Sequence, residues 1–202
     1  MIAILDYGSG NLRSAQRAFA HTGLDVQVTS DPRTCIEAQG LVVPGVGAFQ
    51  SCMTGLKVAH GDEIIKERIS ASRPVLGICV GMQILFSQGL EPSRSQKESV
   101  RGLAYWDAQV SKIDAPVLPH MGWNNVESDP NSALFRGLEG ETFYFVHSYA
   151  AKESVGLMQA WTTYGDTFLS AVEDGPLSAT QFHPEKSGKA GLAFIRNWLA
   201  TL

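Results

Sequence analysis

Cysteine is scarce in this 202-residue chain, with three in all, Cys35, Cys52 and Cys79. An odd and widely spaced set makes neither a CxxC pair nor the disulfide framework of a small secreted scaffold. The three are expected as free thiols of a reducing, cytoplasmic setting. Long apolar runs are missing too. None approaches the ~20 residues of a membrane helix, and the start, MIAILDYGSG, lacks the basic stretch of a signal peptide. No charge of one sign dominates: 16 Lys+Arg against 20 Asp+Glu leave a net charge of −4. Without a basic cluster to track phosphates, nucleic acid is not expected as a partner. Repeats, low-complexity tracts and linkers are also lacking. What is present, 44% hydrophobic and 18% charged residues, suits a globular chain with a substantial core. At this length a single domain over 1–202 is expected. No His/Cys/Asp/Glu set stands at metal-ligand spacing, so neither a metal nor another cofactor is expected.

Strand-like and helix-like patterns alternate over the first half. MIAILD (1–6) reads as a strand, followed by a turn at Gly8, Gly10 and Asn11. Leu12, Ala15, Ala18 and Phe19 fall at helical spacing, with Gly23 as a stop. LDVQVTS alternates as a strand closed by Asp31-Pro32. GLVVPG is a further strand stopped by its proline, a helical stretch runs to about Ser72, and VLGI (75–78) is a buried strand. It leads through a glycine-flanked turn into another apolar segment, MQILFSQ. Strands separated by helices imply parallel pairing with crossovers, hence an α/β sheet with helices on both faces. Past residue 90 the polar segment 91–101 reads as an exposed loop. AQVSKI, TFYFVHSY, LMQAWTTY, TFLSAVE and LSATQF then read as partly antiparallel strands appended to the sheet. GKAGLAFIRNWLATL closes the chain as a helix with Leu192, Ile195 and Leu199 on one face.

Gly77-Ile78-Cys79-Val80-Gly81 stands where a buried strand turns sharply into a helix. A G-x-C-x-G at such a corner has the mechanics of a nucleophile elbow: small neighbours permit the tight turn and the side chain projects above the sheet edge. The helix that follows favours a thiolate, and the N–H of Val80 would face an oxyanion. A buried cysteine between two packing glycines is the other reading. Cys35 and Cys52 have no comparable setting and are expected as packed thiols.

A nucleophilic thiol needs a base, and the base an orienter. Both residue types occur in Gln181-Phe182-His183-Pro184-Glu185-Lys186-Ser187. In extended chain His183 and Glu185 project to the same side, and Pro184 biases His183 toward that geometry. A surface histidine beside an unrelated glutamate is the alternative. Pro44-Gly45-Val46-Gly47, directly after a strand, can turn backbone N–H groups of Val46 and Gly47 into the same crevice as a second half of an oxyanion hole. A phosphate cradle, without the GK[ST] of a P-loop, and a plain tight turn are the alternatives there.

Taken together, PGVG (44–47), GICVGMQ (77–83) and FHPEKS (182–187) resemble the motifs of the class I (triad) glutamine amidotransferases. His120-Met121-Gly122-Trp123-Asn124, Tyr144-Phe145-Val146-His147-Ser148-Tyr149 and Tyr7-Gly8-Ser9-Gly10-Asn11 narrow the resemblance to the glutaminase subunits of imidazole glycerol phosphate synthase. It runs from the first strand to about Ser187. Val80 stands where leucine is commoner in that family. The resemblance implies a flavodoxin-like sheet, mostly parallel with antiparallel C-terminal strands, and L-glutamine as substrate. It implies that Cys79 attacks the side-chain amide, that His183 moves the proton, and that Glu185 orients the imidazole. Backbone N–H groups of Val46, Gly47 and Val80 would hold the oxyanion. Gln83 and Glu91 match positions that hold the amino acid's polar ends, with Ser148 and Tyr149 adding backbone contacts; Glu91 also reads as a solvated residue of the exposed loop.

The same resemblance implies a heterodimer with a (β/α)8-barrel cyclase subunit, to which ammonia passes near Trp123, Asn124, Tyr144 and Lys186. Trp123 alternatively reads as core. His147, inside an aromatic-rich strand, reads as structural, and His21 and His60 as surface residues. Two rivals stand beside this reading. One is a triad glutaminase feeding pyridoxal phosphate synthesis, against which HMGWN argues. The other is a non-catalytic redox-sensing protein of the same sheet type, in which His183 and Glu185 would be dispensable.

Overall fold

Four strands buried along their whole length pair in parallel and build the centre of the molecule. In the computed structural model, which describes residues 1–92 and 99–202, the first half runs β1 (Ile2–Leu5), α1 (Leu12–Ala20), β2 (Val26–Thr29), α2 (Pro32–Glu37), β3 (Gly40–Gly45), α3 (Phe49–Val58), α4 (Gly61–Ser70), β4 (Val75–Cys79), α5 (Val80–Gln83) and β5 (Phe86–Gly89). The second half runs β6 (Val100–Arg101), β7 (Trp106–Lys112), β8 (His120–Asn125), β9 (Glu127–Ser128), β10 (Thr142–His147), β11 (Tyr149–Ala151), β12 (Met158–Tyr164), β13 (Asp166–Asp174), β14 (Leu177–Thr180), a 3-10 turn (Pro184–Lys186) and α6 (Gly188–Leu199). The large sheet has the order β2-β1-β3-β4-β14-β13-β12-β9. Its first five strands are parallel and the rest antiparallel. β1, β3, β4 and β14 are buried throughout, as expected of strands covered on both faces. The chain moves from β1 outward to β2, then back across to β3 and β4. Right-handed crossovers therefore place α1 on one face and α2, α3 and α4 on the other. α1 packs with α6 through Phe19 and Trp198, whose rings meet edge-on at 5.8 Å.

Four departures from the sequence reading have local causes. Asp31-Pro32 closes β2 but also opens α2. Asp31 accepts from the Thr34 N–H at 2.8 Å, and Pro32 takes the first helical position, where its missing N–H costs nothing. β3 runs on through Pro44 because β1 pairs only with Gly40–Val42, so the side of Pro44 that lacks a donor has no neighbour to satisfy. The helical stretch to Ser72 breaks at His60, which takes φ 53° between α3 and α4. MQILFSQ is not one element: α5 ends at Gln83 and β5 begins at Phe86.

The appended strands divide among three sheets. β14, β13, β12 and β9 extend the large sheet, β8 and β10 form a separate antiparallel ribbon, and β11-β7-β5-β6 make a four-stranded sheet. Of the exposed loop expected at 91–101, residues 93–98 lie outside the described residues, while Val100–Arg101 pairs with Gln88–Gly89. No helix among the described residues is long and apolar enough to cross a membrane.

Candidate active site

Cys79 closes β4 with φ 57° and ψ −113°, outside the regions open to ordinary L-residues, and α5 starts at the next residue. Such a conformation costs on the order of 1–3 kcal/mol and persists only where the surroundings over-determine it. Here the determinants are close backbone approaches. A Cβ on Gly81 would lie 1.9 Å from the Val43 carbonyl oxygen, one on Gly77 would lie 2.6 Å from the Gly81 oxygen, and one on Gly45 would meet the Gly81 nitrogen at 2.5 Å. β3, β4 and α5 therefore touch main chain to main chain, and only glycine fits at the three contacts. The elbow reading of G-x-C-x-G holds in its geometry.

β14 lies beside β4 in parallel register, Thr180 opposite Ile78, which carries the following residues up to the elbow. Gln181 Nε2 comes within 3.7 Å of Cys79 Sγ. His183 is extended (φ −102°, ψ 94°), and its N–H donates to the Tyr144 carbonyl at 2.9 Å, tying it to β10. Its Nδ1 sits 2.8 Å from Glu185 Oε1, with both side chains buried. The pairing does not come from two positions alternating along extended chain. Residues Pro184–Lys186 form a 3-10 turn that brings the carboxylate back under the ring. Burial pushes the imidazole's proton affinity down, but the Cys79 sulfur and the Glu185 carboxylate outweigh it and raise the pKa to about 10. His183 Nε2 is buried and has no hydrogen-bond partner among the described residues.

Cys79 and His183 open onto one cleft of about 490 Å³. Of the residues singled out from sequence, Val46, Gly47, Val80, Gln83, Glu91, Ser148, Tyr149 and Lys186 also line it, whereas Glu185 supports His183 from behind. Ala48, Pro119, Val146 and His147 line it as well and were not singled out as site residues. Pro119 carries no pattern that marks it, and Val146 stands in the 144–149 motif without a role read from sequence; both line the cleft through tertiary pairing.

Several orientations differ from those expected. The Val46 N–H donates to Ser9 Oγ at 3.0 Å, away from Cys79, and the Val46 carbonyl accepts from Ser9 Oγ at 2.9 Å and from Cys52 Sγ at 3.3 Å. Beneath this turn the buried Tyr7 hydroxyl donates to the Pro44 carbonyl at 2.6 Å, and burial with neighbouring Cys52 raises its pKa well above the usual phenol value. Gln83 directs its amide N–H groups at the Tyr149 carbonyl (2.8 Å) and Gln181 Oε1 (2.9 Å). Glu91 is not simply solvated: its Oε2 accepts the Phe49 N–H at 2.9 Å, at the positive start of α3.

The alternation of β8 splits its motif between two sides. Trp123 is 56% exposed rather than core. It lies edge-on to Tyr144 at 6.1 Å, and Lys186 Nζ stands 5.9 Å from the Tyr144 ring centre. Trp123, Tyr144 and Lys186 thus form a continuous surface beside the cleft. Asn124 turns the other way, to His120 and the Thr163 carbonyl. His60 is exposed, as is His21. Among the described residues no group of three or more His, Cys, Asp or Glu is placed to hold a metal ion.

The chain matches the family model for class-I glutamine amidotransferase over residues 3–202. It is 58% identical over 205 residues to "Imidazole glycerol phosphate synthase subunit HisH" of Mycolicibacterium paratuberculosis, covering 100% of this chain and 98% of that protein. It is 54% identical over 211 residues to the subunit of the same name from Thermobifida fusca, covering 100% and 98%. Among solved structures, PurLQS from Thermotoga maritima superposes with a TM-score of 0.73 at 14% identity, covering 99% of this chain and 97% of that one, a likeness of fold. The chain belongs to the class-I glutamine amidotransferases, in the group of HisH subunits of imidazole glycerol phosphate synthase.

Proposed function

We propose that the whole chain, 1–202, works as one cytoplasmic glutaminase domain that releases ammonia from L-glutamine and hands it to a (β/α)8-barrel cyclase subunit in a heterodimer. The cyclase uses it to make imidazole glycerol phosphate and an aminoimidazole carboxamide ribotide for histidine biosynthesis. One observation carries the catalytic part: a strained elbow cysteine and a carboxylate-held imidazole share one cleft, although 183 − 79 = 104 positions separate them.

Cys79 gives its proton to His183 and the sulfur adds to the side-chain amide carbon of glutamine, forming a tetrahedral oxyanion. His183, an imidazolium steadied by Glu185, passes the proton to the nitrogen, the C–N bond breaks, and ammonia leaves a thioester. Water, deprotonated by His183, then adds to the thioester. Glutamate departs and the proton returns to the sulfur. The Val80 N–H at the start of α5 and the Gly47 N–H across the cleft are the donors assigned to the oxyanion. The Val46 N–H joins them only after leaving Ser9, so the hole is completed by a rearrangement of the Gly45–Gly47 turn. Removing one such donor typically costs roughly 10²–10³ in rate. Glu91 supplies a negative wall for the substrate ammonium, with Gln83, Ser148 and Tyr149 forming the opposite side. Ammonia then leaves past Lys186, Tyr144 and Trp123, the exposed surface next to the cleft.

Free ammonia in neutral water is largely protonated and no longer nucleophilic, which is the chemical reason for direct transfer. The family assignment favours this partner over a pyridoxal phosphate synthase. Glutamate release by the purified chain, measured alone, with the cyclase subunit, and with the cyclase and its nucleotide, tests the reading. A rise at each addition is expected. A rate indifferent to the cyclase, or activation by a pyridoxal synthase in its place, overturns it.

A further inference from the structure

One buried chain of side chains reaches the cleft from the exposed edge of the β8–β10 ribbon and takes no part in the scheme above. His120 and His147 face each other as cross-strand partners, with His120 Nδ1 3.1 Å from His147 Nε2. His147 Nδ1 is 3.0 Å from the Tyr149 carbonyl, the same oxygen that accepts from Gln83 at 2.8 Å. At the other end Asn124 Nδ2 lies 3.3 Å from His120 Nε2 and 3.1 Å from the Thr163 carbonyl. The His120 ring is stacked against Tyr164 at 4.0 Å and Phe145 at 5.0 Å, which leaves it no room to turn over.

The direction of every proton in this chain follows from its ends. A carbonyl oxygen only accepts, so His147 carries its proton on Nδ1 and offers a lone pair at Nε2. His120 must then donate from Nδ1 and accept at Nε2, where the Asn124 amide donates. The Asn124 amide cannot invert without losing Thr163 and the Asn125 N–H, which donates to its Oδ1 at 2.8 Å. Only two neutral imidazoles in these tautomers satisfy all the links. Both proton affinities are depressed by burial, His120's to about 4 and His147's to about 3, the latter helped by His120 and His183 nearby. Although His147 lines the cleft, both its ring nitrogens are engaged, so it has none free for substrate.

We infer that His147 and His120 are positioning residues: through the Nδ1–H bond to the Tyr149 carbonyl they hold the Ser148–Tyr149 wall and, through Gln83, the elbow helix in the geometry that binds glutamine. This rests on the proposed glutaminase reading. Asn124 sets the direction of the chain from the edge that bears Trp123.

Two substitutions at one position separate the links, read by steady-state kinetics of the complex with the cyclase subunit and by calorimetry. His147→Asn keeps a donor near the Nδ1 position, and His147→Gln keeps only the group facing His120. His147→Gln is expected to raise KM for glutamine about threefold to tenfold, the worth of one hydrogen bond, with kcat nearly unchanged, and His147→Asn to restore KM. Equal KM in both variants, whether raised or unaltered, overturns the inference. Should neither variant fold, imidazole nitrogen NMR decides. Both histidines should show the Nδ1–H tautomer at neutral pH, and His147 Nδ1 should shift when Cys79→Ala protein is saturated with glutamine while His60 does not. An Nε2–H tautomer, or an unmoved His147, overturns it. An unaltered complex that releases no glutamate overturns the glutaminase reading and the inference with it; an active complex with flat variants overturns the inference alone.

Discussion

The two walls of the cleft are held by different physics. The wall bearing Cys79 is backbone against backbone: Gly45, Gly77 and Gly81 let β3, β4 and α5 approach closer than any Cβ allows. The wall from β8 and β10 is held by side chains. Phe143 lies against Phe182 at 4.3 Å between ring centres, His120 is stacked, and hydrogen bonds run through His147 to Tyr149. The first arrangement is rigid because main-chain atoms cannot rotate away. The second is a set of individually modest contacts that tolerates exchange of one member. Strain at Cys79, the proposed nucleophile, thus stands on the stiff wall, and adjustable surface, including exposed Trp123, on the other.

Breaking the chemistry has the largest expected effect, and it needs both walls. Cys79→Ala and His183→Ala should each lower glutamate release by about 10⁴-fold or more, and Glu185→Gln by a smaller factor, about 10²–10³, because only orientation and charge stabilisation go. Turnover within tenfold of the unaltered protein in either alanine variant removes the residue from its role.

Stability separates the walls next. Gly81→Ala adds one methyl against the Val43 oxygen and should cost more than about 3 kcal/mol in denaturant unfolding, while Phe143→Leu on the aromatic wall should cost about 1 kcal/mol. The reverse order would show the elbow to be the softer side.

Acid sharpens the contrast. His120 and His147 bind protons more weakly folded than at their ordinary value near 6.5, mainly through burial. Their contribution is whole above pH 6.5 and lost as pH falls toward about 4 and about 3. His183, with its pKa raised to about 10, acts oppositely: its contribution is whole below 6.5 and fades as pH climbs through about 10. Melting temperatures should therefore fall on the acid side, less steeply in His147→Asn; an unaltered acid arm in that variant counts against the assignment. The smallest effect is expected at Ser9→Ala. Freeing the Val46 N–H should raise partner-free glutamate release about threefold, the scale of one hydrogen bond. A fall in partner-free rate would mean that Ser9 supports the turn rather than restraining it.

Much of the site could be read without coordinates because its parts obey short-range rules. Glycines two residues either side of Cys79 announce a steric corner, and the histidine, proline and glutamate at 183–185 announce an imidazole beside a carboxylate, although a 3-10 turn rather than extended alternation makes the pair. The parallel order of the first half follows likewise from apolar segments alternating with helices. Where one signal served two purposes the reading fell short. Asp31-Pro32 is a strand stop and a helix start at once, and MQILFSQ carries enough apolar residues for either element.

Residue types at close spacing determined, on their own, the corner at Cys79 and placed His183 near Glu185, since both depend on neighbours within a few positions, while motifs spread along the chain carried its membership in its family. Tertiary structure alone decided which way the Val46 N–H points, that Glu91 meets the start of α3, that Trp123 stands in solvent and that His147 reaches the cleft. Each of these is set by a partner tens of residues away, and the register between distant strands is chosen by the packing of the whole, not by any one segment.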